Sequence, residues 1–144
     1  AGQGRNLGYR FEHLQQIISQ SNQPDRLGVC FDTCHVFAAG YDLRTEEDYY
    51  RTFNQFDQIV GLGQIKAFHL NDAKSGFGSR VDRHDHIGQG NIGPTPFELL
   101  VNDPRFQGRP MIIETPEMNK MHDWNLKTLR QLRPAIPLDE PLAD

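Results

Sequence analysis

The sequence predicts a parallel α/β fold, and three observations support this prediction. Short apolar runs at 27–31, 65–68 and 111–113 alternate with segments of helical periodicity. Valine, isoleucine and phenylalanine, which favour β-strands, are frequent in these runs. The runs are nearly continuously apolar, as in parallel strands that are covered on both faces. The predicted order of elements is therefore α-βα-βα-βα.

Four helices are predicted from apolar residues at helical spacing. The second helix begins at Thr45, which forms a capping-box-like pair with Asp48. The third begins at Thr95, which is expected to cap the helix and is followed by Pro96 in the first turn. The fourth ends at Pro134. In chain order, the apolar faces comprise Phe11, Leu14, Ile17 and Ile18; Tyr49, Phe53, Phe56 and Val60; Leu99, Leu100 and Val101; and Trp124, Leu126, Leu129 and Leu132.

The composition is that of an ordinary globular chain. Its 144 residues predict one domain, 1–134, followed by a proline-rich and loosely held tail at 135–144. A net charge of -4 excludes a globally basic nucleic-acid coat but permits a local basic patch. No apolar run approaches the roughly 20 residues of a membrane span.

Two features of the chain bear on its setting and its extent. Cys30 and Cys34, the only cysteines, are too few for a disulfide scaffold, so a reducing, cytoplasmic location is expected. Cys30 is interpreted as a core residue and Cys34 as a packed loop thiol. The opening Ala1-Gly2-Gln3-Gly4 is typical of a loop that leaves a strand, so we expect a fragment of a longer protein.

Each apolar run is followed by a side chain that can bind a metal ion: Asp32, His69 and Glu114. The carboxyl ends of parallel strands meet at one edge of a sheet, so these three side chains are expected to converge. They are 37 and 45 residues apart, whereas one unit of an eight-unit barrel averages about 31 residues. The longer spacing predicts inserted loops at the edge of the sheet where such barrels have their active sites.

Two local pairs add further ligands. Asp32 and His35 are three residues apart, and Asp82 and His84 are two apart, on the same side of an extended segment. Asp, Glu and neutral His are the ligands expected for Zn²⁺ or Mn²⁺ in catalytic sites. Six candidates exceed what one tetrahedral ion needs, so the sequence predicts a cluster of two or three ions. We interpret His86 as part of a solvated loop.

The long segment 71–93 is rich in glycine and charge. Its backbone N–H groups, hydroxyls and cations suit phosphate, and a metal cluster beside it favours a phosphodiester substrate. The predicted phosphate contacts are Lys74, Ser79, Arg80 and Arg83.

Several motifs resemble the signatures of the endonuclease IV family, the zinc-dependent apurinic/apyrimidinic endonucleases of base excision repair. They are GVCFDTCH at 28–35, HLNDAK at 69–74, GSRVDRH at 78–84, IGQG at 87–90 and PMIIET at 110–115. The resemblance runs from Ala1 to about Pro134. It implies a (β/α)8 TIM barrel with three zinc ions, of which this chain is the C-terminal half, about three strands with flanking helices.

The resemblance also assigns roles to individual residues. It implies that His35, Asp82 and His84 form one complete zinc site, and that Asp32, His69 and Glu114 are three of the four ligands of a second. Mn²⁺ can substitute for zinc, and Glu114 is the candidate catalytic residue, which positions the attacking water. The family's bridging glutamate and two further ligand histidines would precede Ala1.

The implied reaction is hydrolysis of the phosphodiester 5′ to an abasic site in double-stranded DNA. We expect the isolated fragment to be inactive and to need the other half of the barrel or a second copy of itself. Two alternatives stay open: a divalent-metal sugar isomerase or epimerase of similar fold, and a non-catalytic fragment that binds metal or DNA. The isomerase alternative accounts for Asp32, His69 and Glu114, but not for His35 with Asp82 and His84.

Overall fold

The computed structural model describes residues 1–133. The helices are α1 (Phe11–Ser19), α2 (Thr33–Ala39), α3 (Glu46–Ile59), α4 (Thr95–Asn102) and α5 (Met118–Gln131). The strands are β1 (Val29–Asp32), β2 (Ile65–His69), β3 (Asp72–Ala73), β4 (His84–Asp85) and β5 (Met111–Ile112). The predicted tail at 135–144 and the predicted helix end at Pro134 lie outside the described residues.

The main sheet is parallel, in the order β1-β2-β5, which confirms the predicted fold class. Asp32 pairs with His69, and His69 pairs with Ile112, so the strand ends lie side by side. Paired residues of neighbouring strands project from the same face of a sheet. Asp32, His69 and Ile112 therefore share one face with Cys30, which pairs with Ala67.

The other face of this sheet forms the core. Phe31 and Phe68 project from it and are at most 2% exposed. Helix α3 lays Phe53 and Phe56 against them, with the Phe31 and Phe53 rings stacked 4.8 Å apart. Phe106 completes the aromatic layer at 4.9 Å from Phe53 and from Phe68. Tyr49, Phe53 and Phe56, which the sequence predicts on one apolar face of this helix, are all fully buried.

The expectation that both faces of the sheet are covered is wrong for the part of the chain that the structure describes. Ile112 is 49% exposed, and Cys30 is exposed rather than part of the core. Both project from the face that carries Asp32 and His69. The runs looked continuously apolar because cysteine, alanine and isoleucine occupy this open face. We call it the open face below.

The helices follow the sequence with some corrections. At α3, Thr45 accepts a hydrogen bond from the Asp48 N–H, as the capping pair predicts. At α4 the residue before the first turn is Pro94, and Thr95 is the first helical residue rather than a side-chain cap. Ile17 and Trp124, predicted on apolar faces, are exposed. Within residues 1–133, no helix combines the length and the apolar character that crossing a membrane requires.

Helix α2 directly follows β1 and was not predicted. The Asp32 carboxylate caps it by accepting a hydrogen bond from the His35 N–H at 3.0 Å. Gly40 ends it with φ 103°, a conformation that favours glycine. Its seven residues are too few to show a clear helical period, although the Asp32 and Gly40 signals were present in the sequence.

The long segment after β2 is more ordered than a plain loop. Strands β3 and β4 pair as an antiparallel ladder, which places Asp72 opposite Asp85 and Ala73 opposite His84. The Asp72 side chain is fully buried and accepts hydrogen bonds from the N–H groups of Ala73, Gly90 and Ile92. Burial raises the pKa of this carboxyl, and the backbone donors oppose that shift. Asp72 thus joins the two ends of the segment.

Candidate metal centre

Three predicted ligands meet at the carboxyl end of the sheet. Asp32 and His69 are the last residues of β1 and β2, and Glu114 lies two residues beyond β5. The His69 Nδ1 atom is 2.9 Å from Glu114 Oε2 and 3.5 Å from Asp32 Oδ2. One ligand atom from each residue lies within 4.8 Å of the other two. We call this group the strand-end trio.

A second group of three forms beside it. His35, on α2, has its Nε2 atom 3.0 Å from Asp82 Oδ2, and His84, on β4, has its Nε2 atom 3.3 Å from Asp82 Oδ1. We call His35, Asp82 and His84 the loop trio. The two trios adjoin, because His84 Nε2 is 3.9 Å from Asp32 Oδ2. The structure therefore brings all six predicted ligands into one region.

Two imidazole nitrogens of the loop trio have no hydrogen-bond partner and are therefore available to bind a cation. The His84 Nδ1 atom lies 2.9 Å from the Glu114 carbonyl oxygen, which can only accept, so Nδ1 is the donor and Nε2 is the nitrogen left to bind a metal ion in the neutral ring. The Nε2 atoms of His35 and His84 are buried and make no hydrogen bond. Two imidazole nitrogens without partners, directed at one carboxylate, fit a zinc ion in their donor chemistry.

Neighbouring residues hold these ligands in place. Gln3 accepts a hydrogen bond from the Asp82 N–H at 2.8 Å, so the N-terminal segment supports the loop trio. The site opens onto a cavity of about 420 Å³, whose lining includes Asp32, His35 and Asp82. A ligand larger than an ion therefore has access to these three candidate ligands.

Sequence reasoning missed one residue at the site. The Asn71 side chain is fully buried and contacts both Asp32 and Glu114. The sequence offers only a weak signal for it, its place two residues after His69 at the end of a predicted strand. The expectation for His86 was also incomplete, since its ring is half-buried and its Nδ1 lies 3.1 Å from Asn125 Nδ2.

Cys34 lies in α2 rather than in a loop, and it is fully buried. Its Sγ atom is grouped with ligand atoms of Asp32 and His84. However, its thiol donates to the Arg83 carbonyl at 3.6 Å, and burial raises its pKa to about 12. The Cys34 sulfur thus already has a hydrogen-bond partner, whereas the Nε2 atoms of His35 and His84 have none, so the geometry favours the two trios over a set that contains Cys34.

The two cysteines should differ sharply in reactivity. We expect iodoacetamide at pH 8 to modify Cys30, which is exposed, and to leave Cys34 unmodified while the chain is folded. Peptide mass spectrometry should locate a single carbamidomethyl group on Cys30, and a second on Cys34 only in denaturant. The Cys30→Ser variant is the control and should take up none. Modification of Cys34 in the folded chain would contradict its burial.

The four predicted phosphate contacts lie on the segment that joins β3 to β4. Lys74, Ser79, Arg80 and Arg83 are all exposed there. The Lys74 N–H donates to the Arg83 carbonyl, and the Arg80 N–H donates to the Ala38 carbonyl at the end of α2. The first bond closes the segment on itself, and the second ties it to the helix that carries His35. The contact with phosphate itself stays a prediction.

The chain is similar in sequence to proteins named as endonucleases. Residues 1–134 match the family described as xylose isomerase-like TIM barrel. A probable endonuclease 4 of Geotalea daltonii is 55% identical over 134 residues, which is 92% of this chain and 47% of that protein. A probable endonuclease 4 of Chloroflexus aggregans is 58% identical over 134 residues, again 92% of this chain and 47% of that protein. The chain thus spans about half the length of the curated relatives it matches.

Solved structures agree with these matches. The crystal structure of endonuclease IV from Thermus thermophilus superposes with a TM-score of 0.79 and 41% identity, over 91% of this chain and 46% of that one. A structure described as AsfvAP:AG superposes with a TM-score of 0.63, over 86% of this chain and 47% of that one. Its identity is 22%, so it supports the fold alone.

Proposed function

This chain belongs to the endonuclease IV family of xylose isomerase-like TIM barrels, and on that premise we propose that it forms part of an endonuclease that hydrolyses DNA 5′ to abasic sites. The observation that carries the proposal is the meeting of the strand-end trio and the loop trio at one sheet edge. Two adjacent ligand sets suit phosphodiester hydrolysis better than a single one.

In this proposal, His35, Asp82 and His84 hold one zinc ion, and Asp32, His69 and Glu114 contribute to a second. Zinc ions bound there would supply Lewis-acid chemistry for hydrolysis of a phosphodiester, and Mn²⁺ can replace them. The chain's own residues supply the ligand geometry. Asp32 is 5% exposed and held by hydrogen bonds, so it offers a fixed carboxylate rather than a mobile one.

Glu114 is the proposed catalytic residue. Its side chain is 51% exposed, whereas that of Asp32 is 5% exposed, so Glu114 is the carboxylate of the strand-end trio that water and substrate can reach. Its backbone is fixed at both polar groups, because its N–H donates to Asn71 and its carbonyl accepts from His84. A carboxylate on a fixed backbone can orient a water molecule beside the substrate.

The proposed partner is double-stranded DNA that contains an abasic site. Lys74, Ser79, Arg80 and Arg83 would contact its phosphates, since they are exposed on the segment that also carries Asp82 and His84. The proposed setting is the cytoplasm, where the reducing environment suits a chain with only two cysteines. We further propose residues 1–134 as the unit that carries this function and 135–144 as a tail.

We also propose that the 144-residue chain by itself has little activity. Residues 1–133 contribute one complete trio and one partial set of the ligands that the family resemblance implies. The open face, with exposed Cys30 and Ile112, supports association with the rest of a barrel or with a second copy. The isomerase alternative gains no support, because it leaves the loop trio without a role.

A chimera tests the function directly. The 134 residues of the Geotalea daltonii relative that align with this chain are replaced by residues 1–134. We expect this protein to nick a duplex 5′ to a tetrahydrofuran abasic analogue, leaving a 3′-hydroxyl end, and EDTA should abolish the reaction. A Glu114→Gln chimera should lose most of the activity. The matched control, a Glu98→Gln chimera with its substitution on helix α4, should keep it. A folded, zinc-loaded chimera without cleavage would contradict the proposal.

A further inference from the structure

Asn71 occupies the junction of all three strands of the parallel sheet. It lies just beyond the end of β2 and is fully buried. Its backbone N–H donates to Thr33 Oγ1 at 2.9 Å, and its carbonyl accepts from the same hydroxyl at 2.7 Å. The main chain at this position is thus fixed to the residue that follows β1.

The Asn71 side chain then reaches both neighbouring strand ends. Its Nδ2 atom donates to Asp32 Oδ2 at 2.9 Å, and its Oδ1 atom accepts from the Glu114 N–H at 2.7 Å. One planar amide therefore connects the two carboxylate-bearing residues of the strand-end trio. An amide has one donor end and one acceptor end, so neither a carboxylate nor an aliphatic side chain can make both bonds.

These bonds determine how the Asp32 carboxylate is presented. Its Oδ1 atom is engaged by the His35 N–H, and its Oδ2 atom is engaged by Asn71. Hydrogen bonds to both oxygens restrict rotation of the carboxylate. The remaining lone pair of Oδ2 is then available on the side where His69 Nδ1 lies at 3.5 Å and His84 Nε2 at 3.9 Å.

We propose that Asn71 is a positioning residue for metal binding, which orients Asp32 through its amide N–H and Glu114 through its amide oxygen. The inference rests on the proposed metal centre and adds to it a residue that contacts ligands without being one. Hydrogen-bonding partners of metal ligands characteristically raise metal affinity by fixing ligand orientation.

Asn125 offers a matched control within the same chain. It is also a fully buried asparagine, and its side chain accepts from the Ile87 N–H at 2.9 Å and donates to the Met121 carbonyl at 2.8 Å. Neither of these hydrogen bonds involves a residue of the strand-end trio or of the loop trio. Replacement of either asparagine by leucine, which has a similar shape, leaves buried backbone groups unsatisfied, but only Asn71→Leu releases the two carboxylate residues.

The experiment uses the 144-residue chain with a His35→Ala background. The His35 side chain faces Asp82, so its removal disables the loop trio and leaves the strand-end trio as the remaining set. Zinc affinity is measured by chelator competition, the visible spectrum of the Co²⁺ form reports ligand geometry, and circular dichroism at 10 °C reports folding. Asn71→Leu, Asn71→Ala and Asn125→Leu are compared in this background.

We expect both Asn71 variants to bind zinc about 10–100-fold more weakly and to show an altered Co²⁺ spectrum, while Asn125→Leu loses thermal stability with its zinc affinity and spectrum unchanged. Unchanged zinc affinity in the Asn71 variants would overturn the inference and leave the metal centre standing. Equal weakening in Asn125→Leu, or failure of both Asn71 variants to fold with zinc present, would assign Asn71 to the fold instead. Absence of zinc binding in the background protein would overturn the strand-end trio as a metal site, and with it the role of Asn71, whereas the loop trio is tested separately in the wild-type chain.

Discussion

The His84→Ala variant should lose tight zinc binding at the loop trio. Loss of a partner that merely orients a metal ligand costs about 10–100-fold in affinity, so the loss of a direct ligand should cost more than that. His84 is well placed for this role, because its Nδ1 proton is held by the Glu114 carbonyl and its Nε2 atom has no hydrogen-bond partner. We expect the purified chain to retain about one zinc ion, at the loop trio, after dialysis and the variant to retain none, because the partial strand-end set binds zinc too weakly to hold it through dialysis.

Elemental analysis after dialysis against a weak chelator measures this difference. His86→Ala is the matched control, since His86 lies two residues away and contacts Asn125 and Trp124 rather than either trio. The control should keep its zinc. Equal zinc content in the wild-type chain and in His84→Ala would remove His84 from the ligand set, whereas equal loss in His86→Ala would indicate general destabilisation of the segment.

The second large effect concerns catalysis by the 144-residue chain on its own. We expect it to nick abasic-site DNA at least about a thousand-fold more slowly than the full-length Geotalea daltonii relative. Removing a single charge-stabilising group from an active site costs about 10²–10³ in rate, and an incomplete ion cluster removes more than one such group. Both proteins are assayed with the same tetrahydrofuran duplex and the same zinc concentration.

Binding measured in parallel distinguishes an incomplete site from an unfolded chain. The isolated chain should retain zinc, and its affinity for duplex DNA should fall steeply with salt concentration, because its contacts would be with phosphates. A matched Lys66→Ala variant, on β2, should bind DNA as the wild type does, whereas Arg83→Ala should bind more weakly. Turnover by the isolated chain at the rate of the full-length relative would refute the expectation of low activity.

The parallel strands and the meeting of their ends could be predicted from the sequence, because both follow from local patterns. An apolar run that ends in Asp32, His69 or Glu114 is visible along the chain, and parallel pairing then brings the ends together. The placement of His35 beside Asp82 could not be derived in this way. It depends on the short helix α2 and on the β3–β4 ladder, which are stabilised by contacts between distant residues.

Cys30 and Asn71 show what local patterns leave out. Cys30 is a small, moderately apolar residue in a strand, so its type gives no indication that the face it occupies is open. Asn71 has an ordinary loop composition around it, and its role depends on Glu114, which is 43 residues away in sequence. The Asn71 amide connects Asp32 and Glu114, and these two residues come close together only once the sheet has formed.

The alternation of side chains along β1 and β2 bears on how such a site can change over evolutionary time. Phe31 and Phe68 pack into the aromatic core, while Asp32 and His69, one position further on, face the opposite side. Substitutions on opposite faces should be coupled less strongly than substitutions within one face, since successive side chains of a strand project to opposite sides. A lineage could therefore exchange ligands and alter its chemistry at one surface of the sheet, while the phenylalanine layer on the other keeps the fold intact.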